Sequence, residues 1–410
     1  MKDFMRILQV HKYYWHRDGA SNYFLYLIDL LRQAGHEAIP FAMRQQEMIP
    51  NQFQQFFVSE MDLAHPDNMS LIKKIQYALR MFYSFEAKQK LDKLISFVEM
   101  DVAHLHNIYH HISPSILPVL KSRHVPIVMT VHDYHLVSPN YTLFHHGANH
   151  EEDARGWYTS CVKNKCVKNS RSQSIISTME MIWHHKIMRS YERYVDKYIA
   201  PSQWMMTLCV RHGFPKEKFV HIPHPIDVDT FVVQEKDEGY VAYVGRLSQE
   251  KGVDILLRAA QCTPHIPYQI VGEGPERESL QTQAETLKLK NVTFTGFQTG
   301  DRLRALIANA RLLIVPSMWY ENYPLSILEP KAMGKVVLGS ALGGIPELLP
   351  KELLFPPGDA ITLATRIDEW YTASFSKRQK MGNKLRKEVE TVNDPIKHRQ
   401  RLLRLYSSLI

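Results

Sequence analysis

The sequence predicts an α/β protein of two similar-sized, doubly wound domains whose sheets face each other across a cleft. Three observations predict it. At 410 residues the chain exceeds what one ordinary core organises. Short β-rich runs alternate with helical patterns from end to end, the sign of parallel βαβ units. One stretch, residues 221–239, is proline-rich, then charged and without periodicity, as a hinge should be. The expected domains are residues 1–220 and 221–394. The tail 395–410, an amphipathic helix after Asp394-Pro395, is expected to pack back on the first of them.

In the first half, "MRILQV" reads as the opening strand. A loop ending in Asp18-Gly19-Ala20 and a helix closed by Gly35 follow. "EAIPFA", "VAHLHN", "PIVMTVHD" and "YVDKYIAPS" are the next strands with their loops. Residues 71–95 form a basic amphipathic helix or helix pair, with Lys73, Lys74, Arg80, Lys88, Lys90 and Lys93 off the apolar face. It suits either an ordinary scaffold or docking to anionic membrane. In the second half "GYVAYVGR", "YQIVGEG", "VTFTGF", "RLLIVPS", "KVVLGS" and "LLFPPGD" repeat the strand theme. Each ends in small or polar residues, where an open parallel sheet presents its loops to ligand.

The bulk numbers narrow the function. A formal charge of +8 favours an anionic partner. Nucleic acid is not expected, because the basic residues do not cluster with aromatics in a binding module. The N-terminus reads as a strand rather than a signal peptide, and no apolar run reaches the roughly 18 residues of a membrane span. Four cysteines (161, 166, 209 and 262) argue for a reducing compartment and free thiols. The expected location is therefore cytoplasmic, and the sequons at Asn68, Asn140 and Asn291 should be idle.

Two segments carry chemistry. In "YVGRLSQEKGVDILLRAA" a strand runs into Gly245 and Arg246, then Lys251-Gly252, and a helix begins near Val253. Glycine lets backbone approach a ligand, and the helix N-terminus carries partial positive charge, so this is a site for a diphosphate. Gly272-x-Gly274 lacks the third glycine of a dinucleotide fingerprint and says only that backbone passes close to something there. In "MWYENYPLSILEPKAMG", Glu321 lies in the loop ahead of a helix opened by Pro324, and Glu329 lies about one turn inside it. Amides at Asn322, Tyr323 and Leu325 are free to meet a ligand. Each carboxylate can accept paired hydrogen bonds from a diol: Glu329 from a ribose, Glu321 from a sugar.

"VGRLSQEKG", "IVGEGP", "PSMWYENYPLSILEPKAMGK" and "GGIPELL", in this order, resemble the retaining nucleotide-sugar glycosyltransferases of glycosyltransferase family 4. That family has the GT-B fold of two Rossmann-like domains. "HLHNIYHHISPSIL" and "TVHDYHLVSPNYTLF" are similar to members acting in bacterial surface-polysaccharide assembly. The resemblance implies a hexose or N-acetylhexosamine donor, with UDP favoured, and a saccharide or lipid-linked acceptor. It implies no cofactor and no metal. It places His132 at the donor sugar and Gly19 in the first loop near the diphosphate. Arg246 and Lys251 would hold the diphosphate, Glu321 the sugar hydroxyls and Glu329 the ribose. Phe297 would lie near the base, with Gly245 and Gly272 lining the donor pocket.

The chain departs from the family pattern in places. Gly19-Ala20 stands for a Gly-Gly pair, and "IPHPID" replaces the commoner hinge. Cys161 and Cys166, with His145, His146 and His150 upstream, could build a zinc site, but the spacing is irregular and favours loop histidines with two free thiols. Asp227-Val228-Asp229 reads as linker. A sugar-nucleotide epimerase of the same architecture and a non-catalytic sugar-nucleotide binder stand as alternatives.

Overall fold

The computed structural model describes residues 4–62, 70–234 and 236–410; Asn68 lies outside them. Two six-stranded parallel sheets form the frame. The first contains β1 (Arg6–Val10), β2 (Glu37–Phe41), β3 (Val102–Leu105) and β4 (Ile127–Thr130). A short antiparallel hairpin, β5 (Phe144–His145) with β6 (Ala148–Asn149), stands apart. β7 (Lys197–Ala200) and β8 (Phe219–His221) complete the sheet in the order β2-β1-β3-β4-β7-β8. The second comprises β9 (Val241–Val244), β10 (Tyr268–Val271), β11 (Val292–Gly296), β12 (Leu312–Val315), β13 (Val336–Ser340) and β14 (Leu354–Phe355). Its order is β11-β10-β9-β12-β13-β14. In each sheet the order reverses beside the first strand, the point at which such sheets bind ligand beyond the strands' carboxyl ends.

The strands are apolar runs because both faces are covered by helices. All residues of β3, β4, β12 and β13 are buried, so periodicity of two is absent and the runs read as continuous. The last helix, Pro395–Ser407, crosses back to the first lobe, where Leu402, Leu405 and Tyr406 join the core of helix Gly19–Gln33. The basic segment is two helices, Leu71–Phe82 and Phe85–Phe97, divided at Ser84, whose side chain caps the second.

Two expectations are corrected. Helix Gly19–Gln33 begins inside the expected loop, because Asp18 and Ser21 form a reciprocal capping box. Gly19 is therefore the first helical residue and not part of the loop. A Cβ there would meet no protein atom within 4 Å, so no close approach of the protein's own backbone requires the glycine. Cys161 and Cys166 are not free thiols but a disulfide: the left-handed turn at Lys165 ends the short helix Thr159–Asn164 and brings their Cα atoms to 4.9 Å. The sequon side chains at Asn140 and Asn291 are spent on backbone, through Cys166 O at 2.9 Å and Ile266 O at 2.8 Å.

Candidate active site between the lobes

Close packing of backbone builds the second lobe's half of the site. After β9, the Gly245 amide donates to Val271 O (3.0 Å) and the Leu247 amide to Glu273 O (2.9 Å). A Cβ on Gly272 would stand 1.9 Å from Gly245 O, and one on Gly274 2.2 Å from Leu247 O. Gly272-x-Gly274 thus exists to let two strand ends touch, and the nearby object is the protein's own backbone. Gly252 has φ +66°, and a Cβ there would meet Pro316 O at 2.1 Å. It ends the turn holding Lys251 and starts helix Val253–Cys262.

That turn delivers Lys251 to the two-glutamate segment. Lys251 Nζ lies 2.8 Å from Glu321 Oε1, which also accepts from Ser317 Oγ at 2.8 Å. The ammonium sits 4.9 Å from the Trp319 ring centre. Glu321 is only 5% exposed. Burial alone would raise its pKa, but the Lys251 charge and the hydrogen bonds from Lys251 and Ser317 hold it below the ordinary carboxylate value. Behind it, the Gly344 amide donates to Glu321 O at 2.7 Å, and a Cβ on Gly344 would stand 2.0 Å from Asn322 O. The glycines of "GGIPELL" are there to let that loop lie on Glu321 and Asn322.

The remaining predicted residues have distinct settings. Arg246 is exposed and forms no ion pair among the described residues; its charge is felt by Tyr141 of the opposite lobe. Glu329, in helix Leu325–Ala332, is partly buried with no side-chain partner among the described residues. Burial raises its pKa against the weaker pull of Arg304. Phe297 follows β11 and is 69% exposed. The amides of Asn322, Tyr323 and Leu325 make no hydrogen bond among the described residues.

The first lobe contributes His132, just beyond β4. Its Nε2 is 2.9 Å from His106 Nδ1, and His106 Nε2 is 3.1 Å from Gln9 Oε1. With that oxygen accepting, the protons run from His106 to Gln9 and from His132 to His106, leaving His132 Nδ1 a free lone pair. The ring also stacks on His224 at 5.5 Å. Burial and the neighbouring imidazoles depress its pKa, so it is neutral near pH 7.

Sequence reasoning missed how the lobes meet. Asn322 Nδ2 donates to Val131 O (3.0 Å) and lies 3.3 Å from His132 O, while its Oδ1 accepts from Ser202 Oγ at 2.8 Å. Tyr134 OH donates to Tyr320 O at 2.6 Å, and Asn149 of the hairpin donates to Met318 O at 2.7 Å. Glu347 accepts from the Gln203 and Trp204 amides at the start of helix Gln203–Arg211. The segment carrying Glu321 is therefore held by the lobe opposite its own. The one available signal was the polar cluster around Glu321; nothing in it named the partners.

Comparison with known proteins agrees with this architecture. The model described as Glycosyltransferase Family 4 matches residues 17–230, more than half the chain, and Glycosyl transferases group 1 matches residues 227–388. An uncharacterized 42.6 kDa protein in the cps region of Klebsiella pneumoniae is 25% identical over 284 residues, 68% of this chain and 67% of that one. Further curated relatives are matched over 26% to 48% of their own length. Sucrose-phosphate synthase from Thermosynechococcus elongatus superposes with TM-score 0.72 at 18% identity, over 99% of both chains. HepE from Anabaena, solved with UDP and glucose, gives 0.66 at 18% identity, over 98% of this chain and 100% of that one. The two facing parallel sheets are thus a GT-B fold, and the chain belongs to glycosyltransferase family 4.

Proposed function

We propose that the chain is a retaining transferase moving a hexose or N-acetylhexosamine from a UDP-sugar to a saccharide or lipid-linked saccharide acceptor. The observation that carries this reading is the Lys251–Glu321 pair beside Arg246, which forms no ion pair among the described residues, with the adjacent Asn322 bonded to the backbone at Val131 and His132 of the other lobe. Arg246, the Lys251 ammonium and the N-terminus of helix Val253–Cys262 stabilise charge on the departing diphosphate, without a divalent ion in the transfer itself. Glu321 keeps its second oxygen for sugar hydroxyls, and Glu329 takes the ribose diol. The amides of Asn322, Tyr323 and Leu325 add neutral donors. His132 presents its Nδ1 lone pair to a sugar hydroxyl. The acceptor attacks from the face the diphosphate leaves, and a phosphate oxygen takes its proton.

The donor preference is supported by the UDP and glucose held by HepE, and a role in surface-polysaccharide assembly by the cps-region relative. A thermal-shift panel of UDP-, GDP- and ADP-sugars, followed by an assay of nucleoside diphosphate release, tests the reading. A UDP-sugar should stabilise and turn over with an acceptor, and added magnesium or manganese should not accelerate it. Binding without release would favour the non-catalytic alternative.

We also propose peripheral contact with anionic membrane. Helix Leu71–Phe82 leaves Ile72, Ile75 and Leu79 at 70%, 51% and 63% exposure, on one face, beside exposed Lys73 and Lys74. No helix among the described residues is long and apolar enough to cross a membrane. Co-sedimentation with anionic vesicles, lost in Ile75→Glu, is the expected result; equal recovery with neutral vesicles would count against it.

A further inference from the structure

Three side chains from separate elements of the first lobe converge away from the diphosphate-binding residues. His110 follows β3, His135 lies in the short turn Tyr134–Leu136 beyond β4, and Glu180 lies in helix Arg171–Met181. One ligand atom from each falls within 4.8 Å of the others. Glu180 has no exposed surface. His110 Nδ1 stands 3.0 Å from its Oε1 and 2.7 Å from its Oε2, yet Oε2 makes no hydrogen bond. Among the described residues no lysine or arginine pairs with this carboxylate. A buried carboxylate with one imidazole beside it is short of positive charge.

His135 supplies an independent observation. It is 3% exposed, and neither ring nitrogen has a hydrogen-bond partner among the described residues. Its ring lies flat on Tyr109 at 4.0 Å and edge-on to His110 at 5.0 Å, so packing fixes its direction. An imidazole carries two polar nitrogens, and leaving either unmet in the interior is unfavourable. A cation ligated by one nitrogen gives that nitrogen its partner and supplies the charge Glu180 lacks.

We propose that His110, His135 and Glu180 bind one Zn²⁺ ion. Two imidazoles and a carboxylate are a borderline nitrogen and oxygen set that suits zinc, with water in the fourth position. The ion joins the loop after β3, the turn after β4 and the helix, and so stiffens the residues immediately following His132. The histidines upstream of the disulfide are different: His145 and His150 are each engaged by a neighbouring carboxylate, Asp153 and Glu152, at 2.6 Å. The proposal does not depend on the transfer reaction.

The test uses the full chain, stripped by chelator, dialysed and titrated with zinc sulfate against a chromophoric indicator. The expected result is one zinc per chain and a raised melting temperature. His135→Gln and Glu180→Gln should weaken binding by about a hundredfold or more, while His146→Ala, in the exposed hairpin, should not. Cobalt(II) should give intense tetrahedral visible bands with the wild type and not with His135→Gln. Should either variant fold poorly, the wild-type stoichiometry and cobalt spectrum decide alone. A wild type that takes up no zinc, zinc retained unchanged in His135→Gln, or binding lost in His146→Ala would each overturn the assignment.

Discussion

Lys251 Nζ and Glu321 Oε1 stand 2.8 Å apart, joining two segments 70 residues distant at the carboxyl ends of neighbouring strands. The pair is a single device: the carboxylate stays ionised in a buried place because the ammonium is there, and the ammonium is aimed by the carboxylate. Removing Lys251 leaves a buried charge alone, a defect that costs about 3–5 kcal/mol. Lys251→Ala should therefore lose both transfer and several degrees of melting temperature. Glu321→Gln, which keeps the shape, should lose transfer with a much smaller thermal cost. Equal thermal losses would show that the pair is not asymmetric in this way.

Arg246 gives the opposite pattern. Its side chain is exposed and pairs with no carboxylate among the described residues, which do not use its charge. Arg246→Ala should leave the melting temperature unchanged and nearly abolish transfer, since each charged contact to phosphate is worth about 1.5–3 kcal/mol, tenfold or more in rate. Steady-state kinetics with a UDP-sugar check it; wild-type turnover would remove the diphosphate assignment.

Asn322 is the polar contact nearest both Glu321 and His132. Replacing it by alanine strips hydrogen bonds from Ser202 and from the carbonyls of Val131 and His132. Asn322→Ala should lower kcat/KM at least about tenfold, because an acid and an imidazole from different lobes lose their common reference. Small-angle scattering should report a larger radius of gyration. Unchanged scattering together with unchanged kinetics would mean the lobes are aligned by other contacts.

The buried histidines predict acid lability. Burial pushes His104 and His224 down to about 3, and His11 and His398 to about 4, from an ordinary 6.5. The unfolded chain then binds protons that the folded chain refuses. Stability should be full above about pH 6.5 and fall as the pH drops toward the folded values, by up to about 1.4 kcal/mol per histidine per pH unit. Glu321, with its lowered pKa, adds a loss only below its unfolded value of 4.5. Urea midpoints measured between about pH 7 and pH 5 isolate the histidine contribution; a flat profile there would contradict the buried, neutral state.

The sequence by itself determined five strands of the first sheet, all six of the second, and the helix openings at Pro324 and Gly252. It also determined which glycines and charges crowd the strand ends, because strand periodicity, caps and turn residues are local consequences of local chemistry. It did not contain the bond between Cys161 and Cys166, the capping box that draws Gly19 into a helix, or the sixth strand at Phe219–His221. Those turn on side-chain geometry or on an edge that only an existing sheet offers. Nor could it reveal that one oxygen of Glu321 pairs with Lys251, or that Asn322 reaches across to His132. Tertiary structure alone decided those, since a hydrogen bond needs atoms within about 3 Å, and residues far apart in sequence meet at that distance only once both lobes have closed.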